Sequence, residues 1–166
     1  RRGVEFRRTL PFVDGDRIGV FGWSYGGYMA LMCVLKAPDA FAAAAAGAPV
    51  TDWRLYDTHY TERYLGTPAG NPAGYDEANV LKFAPTLRRP LLLVHGMADD
   101  NVLFTHSTQL MKALQDARRP FELMTYPGAK HGLMRHADAG PHAMQTVLDF
   151  FARVLPTGRE TTTQEQ

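Results

Sequence analysis

The stretch RIGVFGWSYGGYMALMCVLK, residues 17–36, changes character around one polar residue, Ser24, and that change restricts the fold more than any other feature of the chain. Arg17–Phe21 is a short apolar run introduced by the turn DGD at 14–16, which reads as a buried strand. From Gly26 to about Leu35 the residues are helix formers, and the helix must end before Pro38. Between the two, Gly22-Trp23-Ser24-Tyr25-Gly26 fits G-x-S-x-G in its required context, strand before and helix after. On so tight a turn Ser24 must take a strained backbone conformation, with glycines two residues either side because a Cβ there would crowd the turn, and Gly27 giving further clearance. Such a turn lets the Ser24 Oγ project and aims the Tyr25 N–H, at the helix N-terminus, toward the oxygen of an acyl group on Ser24. One such oxyanion donor lowers a barrier by ~2.7–4 kcal/mol. The bland alternative is a glycine-rich turn with an idle serine. A dinucleotide fingerprint is not met, because the glycines fall at 19, 22 and 26.

The alternation continues downstream. Phe41–Ala48 (FAAAAAGA) suits a small-residue buried strand. Thr51–Leu65 carries aromatic and aliphatic residues at helical spacing, with Thr51 or Asp52 as N-cap, and GTPAGNPAGYDEAN at 66–79 reads as a loop. Pro90–His95 is a continuous apolar run suited to a central parallel strand covered on both faces. A helix over Thr105–Asp116, a strand over Phe121–Tyr126 and a helix over His142–Leu155 complete a β-α-β-α-β-α-β-α order. That order predicts an α/β fold with a parallel sheet of about four strands and helices on both faces. The expected organisation is one domain, residues 1–156, followed by a polar tail, 157–166.

Composition excludes several classes. At 45% hydrophobic residues the 166-residue chain can bury a core, and a net charge of +1 gives no field for nucleic acid or an anionic membrane. The four arginines of RRGVEFRR read as a solvated helix face or a loose end, since no aromatic platform accompanies them. Cys33 is the only cysteine, so neither an internal disulfide nor a CxxC site can form. No run approaches a membrane span and no signal peptide is recognisable.

A nucleophilic serine needs a base and a group to orient it, and on this kind of turn the chain order is Ser, acid, His. PLLLVHGMADD offers Asp99 and Asp100 just beyond a strand, and FELMTYPGAKHG offers His131 just beyond the last one. Of the six histidines, His136 lies further from that strand end and His142 opens the final helix, so position favours His131. Spacing leaves Asp99 and Asp100 open, since adjacent residues point in different directions and only one can reach the imidazole. Val50, Trp53, Tyr56 and Tyr60 fall at intervals of three, three and four, one face of a helix, which by itself reads as core packing. Asn101, unaided, reads as a turn or cap residue.

Taken together, GWSYGGY, APVTDWRLYDTHYTERYLG, HGMADDNV and KHG resemble the catalytic domain of the prolyl oligopeptidase family of serine peptidases, in its dipeptidyl peptidase IV branch, from about residue 14 to 152. The resemblance implies an α/β-hydrolase fold, with Ser24 as nucleophile, Asp99 orienting the base, His131 as general base and acid, and Tyr25 as an oxyanion donor. It implies that Tyr25, Val50, Trp53, Tyr56, Tyr60 and Val102 wall a small pocket for a proline ring, while Asn101 bonds the preceding substrate carbonyl. The implied substrate is a peptide with proline or alanine second from its N-terminus, cleaved without metal or organic cofactor. An oligopeptidase, an acylaminoacyl peptidase, a carboxylesterase or an inactive interaction module on the same fold are the alternatives. Whole relatives have an eight-stranded sheet and a β-propeller, so the resemblance places N-terminal strands, a second oxyanion donor (a tyrosine hydroxyl) and the propeller outside this chain. It further implies a periplasmic or secreted bacterial enzyme, often a homodimer. Leu103 departs from the pattern, standing where relatives usually carry His.

Overall fold

The computed structural model describes residues 2–155; the expected tail at 157–166 lies outside the described residues. Its framework is a four-stranded, all-parallel sheet in the order β1-β2-β3-β4, formed by Gly19–Trp23 (β1), Ala43–Gly47 (β2), Leu91–Gly96 (β3) and Glu122–Tyr126 (β4). Among the described residues six α-helices accompany it: Arg2–Arg8 (α1), Tyr25–Lys36 (α2), Thr58–Leu65 (α3), Pro72–Glu77 (α4), Thr105–Asp116 (α5) and Ala139–Val154 (α6).

Every residue of β2 and β3 is buried, as unbroken apolar runs in central parallel strands require. Alternate side chains serve opposite layers. Ala44, Ala46, Leu91 and Leu93 join Leu31 and Val34 of α2 and Leu110 and Leu114 of α5 on one face. On the other, Ala43, Ala45, Leu92 and Val94 meet Val147 and Phe150 of α6. Small residues in β2 let α2 lie close: a Cβ on Gly27 would come within 2.5 Å of the Gly47 carbonyl oxygen. The result is an α/β/α sandwich, as expected.

Three local expectations need correction. The strand expected at 17–21 runs instead over Gly19–Trp23, so it leads directly into Ser24. The single helix expected over 51–65 is broken in two. Asp52 accepts from the Arg54 N–H and starts a 3₁₀ turn at Trp53–Leu55; Tyr56 is extended, and Asp57 caps α3 by accepting from the Tyr60 N–H. Two aspartates five residues apart each offer a local cap that competes with a continuous helix. Val50, Trp53, Tyr56 and Tyr60 therefore do not share one helix face. Finally, the loop expected at 66–79 contains α4, with Asn71 as N-cap and Pro72 at the first helical position, followed by a 3₁₀ helix at Val80–Thr86.

All four strands point the same way, so their carboxyl ends share one edge of the sheet. Ser24, the 48–53 segment, Asp99 and His131 each follow one of those ends, the edge at which open parallel sheets build their sites.

Candidate active site

Ser24 occupies the junction of β1 and α2 with φ 61° and ψ −119°, a conformation costing about 1–3 kcal/mol for a residue with a Cβ. Its N–H donates to the Gly47 carbonyl at 2.8 Å, tying the junction to the neighbouring strand. Crowding explains Gly22, where a Cβ would stand 2.2 Å from the Gly26 carbonyl oxygen. It does not explain Gly26, whose own Cβ would meet nothing within 4 Å, so the expected symmetry of the glycine frame is absent. The Ser24 hydroxyl does not cap α2. It lies 2.9 Å from Nε2 of His131, 107 residues away in the chain.

The His131 ring is held at its other nitrogen, where Nδ1 lies 2.7 Å from Oδ2 of Asp99. Because an ionised carboxylate only accepts, Nδ1 carries the proton and Nε2 is left to accept from the Ser24 hydroxyl. The His131 carbonyl takes the indole N–H of Trp23 at 3.1 Å, which fixes the loop as well as the ring.

Asp99 is 5% exposed, and its Oδ1 accepts from the backbone N–H groups of Asn101 and Val102 at 2.9 and 3.0 Å. Burial alone would raise its pKa. The hydrogen bonds from His131, His95 and the Asn101 N–H outweigh it and hold the carboxyl well below the usual carboxylate range. Asp100 turns away to an exposed ion pair with Lys130 at 2.7 Å, so the choice that spacing left open is resolved by direction. The competing histidines lie elsewhere: His142 Nδ1 bonds the Tyr126 hydroxyl at 2.8 Å, and His136 takes the N–H groups of Asp138 and Ala139 in its own loop. In chemical terms the edge presents a hydroxyl, an imidazole nitrogen aimed at it, and a fixed anion behind the imidazole. Beside them, the first N–H groups of α2, beginning at Tyr25, lack partners within the helix.

Next to this group the aromatic residues pack by ring contact, not around a helix face. Trp53 stacks on Tyr60 at 6.0 Å and 19°, and meets Tyr56 edge-on at 5.8 Å. Tyr25, half exposed, lies 6.0 Å from Trp53. Val50 and Val102 are buried in the same apolar cluster. The Tyr56 hydroxyl donates to Oδ1 of Asn101 at 2.7 Å, which leaves the Asn101 amide NH₂ as the end that can meet a carbonyl. A cavity of about 230 Å³ is lined by Tyr25, Trp53 and Tyr60 of the expected set but not by Val50, Tyr56, Asn101 or Val102, and also by Tyr28, Tyr64 and Leu65, which sequence reasoning missed. The available signals were the i,i+3 pair Tyr25–Tyr28 and the i,i+4 pair Tyr60–Tyr64.

The sequence profile of the prolyl oligopeptidase family matches residues 2–157. The chain belongs to that family. Among its members, dipeptidyl peptidase 8 of Homo sapiens is 46% identical over 134 residues, covering 79% of this chain and 15% of the relative. Dipeptidyl peptidase 4 of Bos taurus is 44% identical over 127 residues, covering 75% of this chain and 17% of the relative. The solved structure of Porphyromonas gingivalis dipeptidyl peptidase 4 superposes with a TM-score of 0.86 at 38% identity, over 90% of this chain and 21% of that one. This prolyl oligopeptidase-family chain thus spans 15–21% of the length of these relatives. Among the described residues no helix is long and apolar enough to cross a membrane, and no group of three or more His, Cys, Asp or Glu could hold a metal ion.

Proposed function

We propose that this chain carries the reacting groups of a serine peptidase that releases X-Pro, or X-Ala, dipeptides from peptide N-termini. The observation that carries the reading is the contact of Ser24 Oγ with His131 Nε2 at 2.9 Å, with Asp99 bound to the far side of the ring at 2.7 Å. In the first half-reaction Ser24 Oγ attacks the proline's own carbonyl carbon while Nε2 of His131 takes its proton. The tetrahedral oxyanion accepts from the Tyr25 N–H, and collapse breaks the C–N bond as the imidazolium returns the proton to the leaving amine. Water then repeats the sequence against the acyl-Ser24 ester, with His131 again as base, and frees the dipeptide and Ser24. Asp99 stays ionised throughout, fixing the tautomer and stabilising the imidazolium.

The substrate reading rests on shape. Tyr25, Trp53 and Tyr60 line the cavity, with Tyr56 edge-on to Trp53 and Val50 and Val102 buried in the same apolar cluster, and such aromatic walls suit a compact apolar ring. The Asn101 amide would donate to the carbonyl preceding that residue. The dipeptidyl peptidase names of the relatives support release of dipeptides and are silent on the residue recognised. The test is hydrolysis of Gly-Pro and Ala-Pro anilides by the intact protein. Ser24→Ala should lower kcat by about 10⁶-fold; activity within tenfold of the parent would remove Ser24 from the mechanism.

A further inference from the structure

The acid of this relay has a second imidazole behind it. His95, on β3, is fully buried, and its Nε2 lies 2.9 Å from the Val102 carbonyl and 3.3 Å from Oδ2 of Asp99, the oxygen that also holds His131. Its Nδ1 lies 2.7 Å from the hydroxyl of Ser107 on α5, which is buried too. The proton positions follow from the partners. Val102 O and Asp99 Oδ2 can only accept, so Nε2 carries a hydrogen, donated chiefly to Val102 and shared with Asp99. In the neutral ring Nδ1 must then accept, and the Ser107 O–H donates to it. The order Ser107–His95–Asp99–His131–Ser24 thus reads the same from either end: a buried Ser–His pair mirrors the open one across a single carboxylate.

Building on the peptidase reading, we propose that His95, locked by Ser107, is a positioning residue for the reaction: it fixes the Asp99 carboxylate in the orientation that serves His131 and limits how strongly that carboxylate holds a proton on the ring. Two physical routes carry the effect. The bond to Val102 O anchors the turn whose own N–H groups, at Asn101 and Val102, clamp Oδ1 of Asp99. The shared contact with Oδ2 draws charge away from the oxygen facing His131 Nδ1. The titratable groups facing His95 are Asp99 from the turn after its own strand and His106 from α5, with His131 beyond the carboxylate.

Ser24 is activated only while Nε2 of His131 is free to accept its proton, so kcat/KM falls on the acid side. Without the His95 donor, Asp99 presents more negative charge, the imidazolium is favoured, and this acid limb moves to higher pH. In the intact protein with Gly-Pro anilide, His95→Leu should lower kcat by about tenfold with KM changed less than about twofold. The acid limb should rise by about half a pH unit. His95→Gln, whose amide nitrogen can stand where Nε2 does, should return the limb close to the parent value. Ser107→Ala, which removes little volume, should move it upward by less, and decides the matter alone if His95→Leu does not fold. An acid limb that stays at the parent value in Ser107→Ala and in folded His95→Leu overturns the proposal, whatever happens to overall rate. Ser24→Ala separates the two readings: if it abolishes turnover while the limb never moves, only the positioning role fails; if turnover survives it, the peptidase reading fails first.

Discussion

The Asp99 turn and the aromatic segment from Val50 to Tyr64 touch through one hydrogen bond, Tyr56 to Asn101, yet they are held in place by opposite means. At Asp99, polar partners fix both carboxylate oxygens, and each partner is a single donor at a set distance. Between Val50 and Tyr64, aspartate caps set the backbone, but the aromatic side chains settle ring against ring, with no single contact fixing their placement. Directional bonding suits a group whose orientation governs a proton transfer, whereas dispersion packing suits a wall that must match a shape. Loss of a partner should therefore damage rate at the first region and selectivity or stability at the second.

The sharpest way to break that contrast is Asp99→Asn, which keeps the volume but presents an amide to His131 and favours the wrong tautomer. It should lower kcat by about 10⁴-fold with little effect on KM. A loss shared equally between kcat and KM would mean that the turn shapes the pocket instead. Next comes Trp53→Ala. Trp53 is 5% exposed and contacts Tyr25, Tyr28, Tyr56 and Tyr60, so its removal should destabilise the fold by about 3–5 kcal/mol in a thermal melt. It should also lower kcat/KM for proline substrates by about 10²-fold relative to alanine substrates. A uniform loss on both would show that the rings serve only the core.

A smaller effect links the two regions. His106 is buried, and its Nδ1 accepts from the Thr51 N–H at the start of the aromatic segment. Burial pushes its pKa down to about 4 from 6.5. Between those values the unfolded chain binds more protons than the folded one. The stability is therefore full above pH 6.5 and is lost as pH falls toward 4, by up to about 3 kcal/mol. Unfolding titrations of His106→Asn, which retains an acceptor for Thr51, should show a flatter acid side than the parent; an unchanged slope would mean His106 is not the group responsible. Smallest of all, Asp100→Asn should leave kcat within about twofold, because its ion pair with Lys130 is exposed on both sides.

The same contrast explains what could be read from the chain. Ser24, Asp99 and His131 were legible because each follows a strand whose apolar run is plain, and parallel strands must end at one edge. Hydrogen-bonded turns are local, so DGD, G-x-S-x-G and HGMADD carry their geometry with them. Asp99 could not be separated from Asp100 by residue type or spacing; that choice depended on Lys130 drawing Asp100 outward. The aromatic segment was harder. Its three-and-four spacing suggested a continuous helix, but the caps at Asp52 and Asp57 cut it, and ring packing gathered residues that share no face. Tyr28, Tyr64 and Leu65 were missed for the same reason, since a cavity wall is assembled by tertiary contact. His95 and Ser107 were missed differently. A histidine ending a run of leucines was the signal, and only burial shows that it needs polar partners.

The proposed chemistry requires that Ser24 Oγ be made nucleophilic by His131 and Asp99. Treating the intact protein with a fluorophosphonate and mapping the adduct by peptide mass spectrometry reads that reactivity directly. Ser24 should carry the adduct, with loss of anilide hydrolysis in step with labelling and slow labelling of Asp99→Asn. An adduct on another residue, or full hydrolysis surviving with Ser24 modified, would contradict it.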